Sequence, residues 1–384
     1  MPPNTPYYHE RRMPEIVHLT SVHIPTDTRI FQKELKTLKA SGFKVTLIAP
    51  GTDDQIIDGI PVLHIPVYQN RLIRFIMGPL KAYRRARKLN ADLYHFHDPE
   101  LVTAGLALKI AGKRVIYDVH EDMPRQLYDK DYLPGWIIKP LSYILEKFEL
   151  FAAGRFDGIV TVTPTINRRF SADKAVLVQN FPILNHYLEI KTDNYLTRPN
   201  MVIFMGVIQD IRGITEVTKA MATIGGDFPG VEFRLIGKIV PDSYKQLLSQ
   251  MEGWKYVNSI GWLSQQEVNT HLEQARIGVV TYHPYPNHIE AQPNKLFEYM
   301  AAGLPVIASD FPLWRNVVDT CKCGLLVDPE SVSDVEKAVS FLLANPAEAE
   351  AMGKRGRQAV IDHFNWDSEA EHLKNLYKKV LAKE

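Results

Sequence analysis

Cysteine is almost missing from this 384-residue chain: it has only Cys321 and Cys323. A disulfide-stapled secreted scaffold is therefore excluded, and C-x-C alone does not supply the four ligands of a structural zinc site. No apolar run reaches the roughly 18 residues of a membrane-spanning helix. The opening MPPNTPYYHERRM lacks the apolar core of a signal peptide and reads as a flexible tail over 1–13. A charge excess is also lacking. Lys+Arg is 45 against 44 for Asp+Glu, which argues against a dedicated nucleic-acid binder. No G-x-G-x-x-G follows the first strand, which disfavours a dehydrogenase. What is present is ordinary globular composition, 45% hydrophobic and 23% charged, at a length that suggests two domains of about 150 residues or a little more. A cytoplasmic protein is expected.

Short apolar runs alternate with amphipathic ones along the whole chain. In the first half, strands are predicted over 16–22, 44–50, 61–67, 92–98, 114–120, 158–164 and 175–180, with helices over 27–41, 73–90, 100–112 and 136–153. Several strands are apolar almost throughout, as parallel strands covered on both faces are. The alternation restarts near 201. Strands are predicted over 201–207, 232–237, 257–261, 278–282 and 305–309, and helices over 213–224, 241–251, 264–274, 294–302, 332–344, 347–363 and 367–382. The stretch 181–200 is the linker candidate. The expected domains are 14–185 and 186–366, with 367–384 reaching back onto the first. Both are doubly wound parallel α/β sheets. In such sheets ligands bind beyond the carboxyl ends of the strands, so chemistry is sought in the loops there.

The densest signal is HIEAQPNKLFEYMAAGLPVIAS at 288–309. Glu290 falls in a loop after a strand. Asn294 is the expected N-cap of the next helix, with Lys295 and Glu298 on its first turn and Gly303 as its stop. The free amides of such a turn form an anion site, to which the Lys295 ammonium adds.

The spacing of Glu290 and Glu298, with seven residues between them and Y-M-A-A-G-L-P-V-I following, resembles the E-x7-E motif of the retaining GT-B glycosyltransferases of family 4. The resemblance covers almost the whole chain. It implies two Rossmann-like domains facing a deep cleft, the donor lying mainly on the C-terminal one. It further implies that Glu290 touches donor sugar hydroxyls and that Glu298 holds the nucleotide ribose. In the family, the loop corresponding to G206-V-I-Q-D-I-R212-G213 reads Gly-Arg…Lys-Gly, and both cations bind the diphosphate. Here the first cation position is Val207, leaving Arg212 and Lys295 as the candidate cations beside Gly206 and Asn294. Arg can contact phosphate bidentately. Base recognition falls on Gly237, Lys238 and the Trp262-Leu263 pair. The resemblance assigns His120, in D118-V-H-E-D122, a contact with donor sugar or phosphate. Asp98 and Glu121 then bind acceptor or order the cleft, and Asp27 and Arg29 in the loop after the first strand are further acceptor candidates.

The expected reaction is retaining transfer of a hexose of glucose or N-acetylglucosamine type. The donor is a UDP-sugar co-substrate, and the acceptor is a sugar hydroxyl of a polysaccharide or lipid-linked oligosaccharide precursor. No metal or other cofactor is expected, because two cations and helix-start amides neutralise the diphosphate. Two alternatives stay open. One is a sugar-nucleotide epimerase on the same fold. The other is a metal-dependent hydrolase using His95, His97 and Asp98 of H95-F-H-D-P-E100. Residues 71–88 carry seven cations and no acid, interleaved with Leu72, Ile73, Phe75 and Ile76. This segment suggests an anionic membrane surface as a partner, placing the protein at the inner face of the plasma membrane.

Overall fold

The computed structural model describes residues 12–129 and 134–382. The tail expected over 1–13 falls, up to residue 11, outside them. The chain divides into two compact units. The first runs to Gln179 and takes back the chain from Ala370; the second is Asn180–Glu369.

The first unit is built on β1 (Glu15–Leu19), β2 (Lys44–Pro50), β3 (Gln55–Ile57), β4 (Ile60–Ile65), β5 (Leu93–Phe96), β6 (Arg114–Val119), β7 (Gly158–Thr161) and β8 (Ala175–Leu177). They form one sheet in the order β3-β4-β2-β1-β5-β6-β7-β8. Only β3 and β4 pair antiparallel. Their hairpin turns on Asp58-Gly59, both at positive φ (48° and 70°), the geometry that Asp-Gly favours in two-residue turns. The central strands are buried on both faces, as helix-covered parallel strands must be. Phe96 stacks on Tyr117 at 4.6 Å, and Phe156 meets Phe96 edge-on.

The second unit holds β9 (Met201–Met205), β10 (Glu232–Ile236), β11 (Val257–Gly261), β12 (Ile277–Val280), β13 (Val306–Ser309) and β14 (Gly324–Val327). This parallel sheet has the order β11-β10-β9-β12-β13-β14. Its core includes Phe204, Phe233, Phe297, Tyr299 and Trp314. The order of winding reverses between β1 and β5 in one sheet and between β9 and β12 in the other. Such switch points open a crevice at the strands' carboxyl ends.

The helix Trp366–Leu381 begins in the second unit and continues into the first. There Leu373, Leu376, Tyr377 and Val380 recur at helix spacing and are all buried. Leu376 lies against β7, 2.9 Å from where a Cβ on Gly158 would sit. Three features differ from expectation. The 27–41 helix has two parts, a wide-turned π-helical Thr28–Leu35 and an α-helical Lys36–Ala40. β3 is an additional strand. So is β14, preceded by the helix Pro312–Cys321, whose stop is Lys322 at φ 49° where glycine would have been the readable signal.

Candidate functional site

The second unit's switch point is shaped by glycines that hold backbones closer than a side chain allows. Beyond β9 and β10 the two chains keep pairing: Gly206 N–H bonds Ile236 O at 2.8 Å and Ile208 N–H bonds Lys238 O at 3.0 Å. A Cβ on Gly237 would sit 1.9 Å from Gly206 O, and Gly237 has φ 138°. Across the switch point, a Cβ on Gly213 would sit 1.8 Å from the Thr281 carbonyl oxygen, and its φ is 71°. Only glycine meets both conditions. The Asp210–Arg212 turn is thereby pressed against the end of β12, where His283 N–H bonds Ile211 O at 3.0 Å.

Two cations converge there on Tyr282. The Arg212 guanidinium lies 4.1 Å from its ring centroid, within cation–π range. Lys295 Nζ lies 5.0 Å from the same centroid and donates to the Tyr282 hydroxyl. Lys295 also overhangs the glycine loop, 3.5 Å from a Cβ position on Gly206. Arg212 Nε is buried with no hydrogen-bond partner. Neither cation has an ion-pair partner among the described residues. A buried donor left in this state marks a place for an acceptor.

The helix carrying Lys295 is Asn294–Ala301. Its N-cap is Pro293, not Asn294; Asn294 is the first helical residue and no side chain caps the end. Proline occupies the cap position with no side-chain oxygen to offer, so the first amides are left uncapped. The shift also moves Glu298 off the first turn, which contains no acid. Glu298 is half-buried beside Tyr187, whose hydroxyl pKa is raised by burial and by the Glu298 carboxylate it bonds. Tyr299, one residue on, accepts a 3.0 Å bond from Met205 N–H and so fixes the helix to the end of β9.

Glu290 is exposed at the end of the Pro286–Ile289 turn. Trp314 anchors this segment by donating Nε1–H to Ala291 O at 2.7 Å. His288 is buried, donates from Nδ1 to His283 O at 3.0 Å, and lies with its ring tilted 5.0 Å from that of Tyr282. Its pKa falls to about 4, first through burial and then through Arg212 and Lys295, against the bond to His283. Lys238 is exposed and Leu263 half-buried on the loops after β10 and β11. A separate groove beside β13 and β14 is lined by Pro284, Ile289, Asp310, Phe311, Leu326 and Asp328 among others. None of the expected donor residues lines it.

In the first unit, Asp27 caps the Thr28–Leu35 helix, accepting from Arg29 and Ile30 N–H. His23 bonds Asp27, which raises the His23 pKa and, against burial, lowers that of Asp27. Arg29 is buried and grips Asp118 through two 3.1 Å bonds, with a third to Val178 O. Burial disfavours the charge on Asp118, yet Arg29 and His120 hold its pKa well below the usual range. His120 is half-buried, 2.7 Å from Asp118 and 3.2 Å from Arg29 Nε. Glu121 is exposed and accepts from Gln126.

The proposed hydrolase set is not assembled. His95 and His97 come together with His18 and Glu34, but Asp98 is not among them. Its carboxylate is bound at the end of β1 by Ser21 N–H (2.6 Å) and Thr20 Oγ1 (2.8 Å).

Comparison with known proteins agrees with this geometry. Residues 31–180 match the model of Glycosyltransferase Family 4, and residues 189–359 match that of glycosyl transferases group 1. The chain belongs to glycosyltransferase family 4. This glycosyltransferase is 24% identical over 318 residues to an MMP alpha-(1->4)-mannosyltransferase of Mycolicibacterium hassiacum, covering 79% of this chain and 75% of that one. It is 22% identical to a phosphatidyl-myo-inositol mannosyltransferase of Mycolicibacterium smegmatis, over 90% and 88% of the two chains. Among solved structures it resembles sucrose-phosphate synthase from Thermosynechococcus elongatus, with TM-score 0.76, 19% identity and coverage of 96% and 99%. It also resembles Anabaena HepE in complex with UDP-glucose, with TM-score 0.71, 14% identity and coverage of 95% and 100%. The fold is GT-B.

Sequence reading missed Tyr282. It closes the apolar run predicted as a strand over 278–282, and nothing in the local pattern sets it apart from core. His288 supplies a test of this environment. Its folded pKa lies below the unfolded value, so between about pH 6.5 and about pH 4 the unfolded chain binds a proton that the native state does not, and stability falls with pH. His288→Gln removes that contribution. Its melting temperature should therefore fall less than that of wild type between about pH 7 and about pH 5. Equal falls by calorimetry would show that His288 is not held neutral.

Proposed function

We propose that this glycosyltransferase moves a hexose of glucose or N-acetylglucosamine type from a UDP-sugar to a sugar hydroxyl of a polysaccharide or lipid-linked oligosaccharide precursor. The anomeric configuration is retained and no metal takes part in the transfer. The observation that carries this reading is the Arg212–Tyr282–Lys295 group beside Gly206. Two cations, one with an unpartnered buried N–H, fit a diphosphate that gains charge as the bond to the sugar breaks. Positive groups already in place stabilise that charge without reorganisation, the part a divalent ion takes elsewhere. The uncapped helix start at Asn294 adds backbone donors.

The remaining roles rest on the family resemblance. Glu298, bonded to Tyr187, accepts from the ribose hydroxyls. Gly237, Lys238 and Leu263 face the nucleoside. Glu290, on the exposed turn, engages the sugar hydroxyls, and His120, oriented by Asp118, meets the sugar or its phosphate. In front-face transfer the acceptor hydroxyl attacks the anomeric carbon from the side the diphosphate leaves, and its proton passes to the departing phosphate oxygen. Support for a UDP donor comes from the fold shared with HepE, whose structure holds UDP-glucose.

Two variants separate the carboxylates. Glu298→Gln loses a charge-assisted bond of about 1.5–3 kcal/mol, so calorimetry should show markedly weaker UDP binding by a folded protein. Glu290→Gln should lower kcat on the order of 10²-fold and leave UDP affinity nearly unchanged, because UDP lacks the sugar. Wild-type UDP affinity in the first variant, or wild-type turnover in the second, would refute the assignment concerned.

We also propose that the protein works at an anionic membrane surface. The helix Arg71–Leu89 exposes Leu72, Phe75 and Ile76 beside its cations, and the helix Gly135–Ala153 exposes Trp136, Ile144 and Phe151. No helix among the described residues is long and apolar enough to cross a membrane. Arg74 and Arg85 are occupied by Glu100 and Asp54, so Arg84, Arg87 and Lys88 are the cations to change. Replacing all three with Ser should weaken flotation with anionic vesicles, each cation contributing about 1 kcal/mol, while turnover on a short soluble acceptor stays the same. Wild-type protein that ignores anionic vesicles at low salt would contradict this.

A further inference from the structure

Beneath the first unit's switch point lies a group of buried polar side chains to which the donor chemistry gives no task. His18 on β1 and His95 on β5 are register partners in adjacent strands. His97 follows two residues after His95, and Glu34 reaches in from the Thr28–Leu35 helix. All four are fully buried. One ligand atom from each lies within 4.8 Å of the others.

We propose that His18, His95, His97 and Glu34 bind one divalent transition-metal ion, zinc, as a structural centre of the first unit. Glu34 Oε2 lies 3.9 Å from His18 Nδ1, 3.8 Å from His95 Nδ1 and 4.0 Å from His97 Nε2. His18 Nδ1 and His97 Nε2 are 2.8 Å apart. A tetrahedral zinc ion with bonds of about 2.0–2.1 Å sets its ligands roughly 3.3 Å apart. The observed separations fall on both sides of that value, so small side-chain shifts admit the ion.

The hydrogen-bond pattern supports the assignment independently of the distances. Both Glu34 oxygens are buried without a hydrogen-bond partner. Arg29 Nε comes within 3.1 Å of Oε1 but not in hydrogen-bonding geometry. A carboxyl group in that condition is costly unless something takes its lone pairs. The outer ring nitrogens of His18 and His97, by contrast, are partnered, while His95 Nε2 is buried without a partner. His97 Nδ1 lies 3.3 Å from Asp118 Oδ2, and His18 Nε2 lies 2.9 Å from the Tyr377 hydroxyl. Metal-ligating histidines usually have their second nitrogen held in this way. Tyr377 also meets His95 Nδ1 at 2.5 Å, a bond that is exchanged for the ion. A second grouping replaces His18 and His95 with Asp118 and His120. There Arg29 already holds Asp118 through two bonds, so that carboxylate is engaged.

Such an ion would join β1, β5 and the Thr28–Leu35 helix, and through Tyr377 the returning C-terminal helix. It takes no part in the transfer, and nucleotide binding, assigned to the other unit, tests that reading separately. The experiment is metal analysis of the untagged full chain, purified from zinc-supplemented culture without chelator and then dialysed. One zinc per chain is expected, with an X-ray absorption edge spectrum showing imidazole scattering and no sulfur. The Cys321→Ser/Cys323→Ser variant should retain the metal, and Glu34→Gln should lose it and melt at a lower temperature. The wild-type spectrum decides the ligand type even if Glu34→Gln fails to fold. Substoichiometric zinc in wild type, still absent after incubation with zinc or cobalt(II), would overturn the proposal. So would sulfur scattering, or full zinc retention in a folded Glu34→Gln.

Discussion

The second unit is organised around two like charges held against one aromatic ring. Arg212 and Lys295 arrive from different elements, a turn after β9 and a helix after β12, and both meet Tyr282. Tyr282 is itself buried between Trp314 and His288. Two nearby cations repel unless an anion comes between them. Among the described residues no acidic side chain pairs with either cation, and His288 is held toward its uncharged form by burial beside them. The close backbone approaches at Gly213 and Gly237 exist to bring these parts within reach. The result is a preorganised positive site, which suits a leaving diphosphate in the proposed reaction.

The first unit solves a different problem. Charges and imidazoles are taken out of water and mostly paired with one another, Glu34 and His95 Nε2 excepted. Arg29 neutralises Asp118, which orients both His97 and His120. Asp98 is bound by the end of β1, and Tyr377 enters from the far end of the chain. Buried polar networks of this kind are costly when incomplete and specific when satisfied. His120, at the edge of the network, is half-buried, and its orientation depends on the buried Asp118, Arg29 and His97.

Much of this was legible in the sequence. Apolar runs alternating with 3.6-residue periodicity give two doubly wound sheets, and the carboxyl-end rule points to the loops that carry Gly206, Arg212, Lys295 and Glu290. The rest was hidden for identifiable reasons. Asp58-Gly59 is a hairpin signal, but β3 before it is only three residues long. β14 is four residues long and follows a helix that stops on lysine. Asn294 is a good cap by residue type, yet Pro293 took the position. Glu34 sits in an amphipathic helix pattern where an acid reads as solvent-facing, and its burial depends on partners 61 and 63 positions away, His95 and His97. The Tyr377–His18 bond spans 359 positions, beyond any local pattern.

The central claim is that Arg212 and Lys295 act together on the diphosphate. Calorimetric titration of UDP beside uridine, with GDP and ADP and their nucleosides in parallel, tests it directly. Two charge-assisted contacts of about 1.5–3 kcal/mol each predict that the preferred diphosphate binds on the order of 10²-fold or more tighter than its nucleoside. In the Arg212→Gln/Lys295→Gln variant that advantage should collapse while the nucleoside binds as before. Equal affinity for nucleoside and diphosphate in wild type, or an undiminished preference in the double variant, would contradict the account.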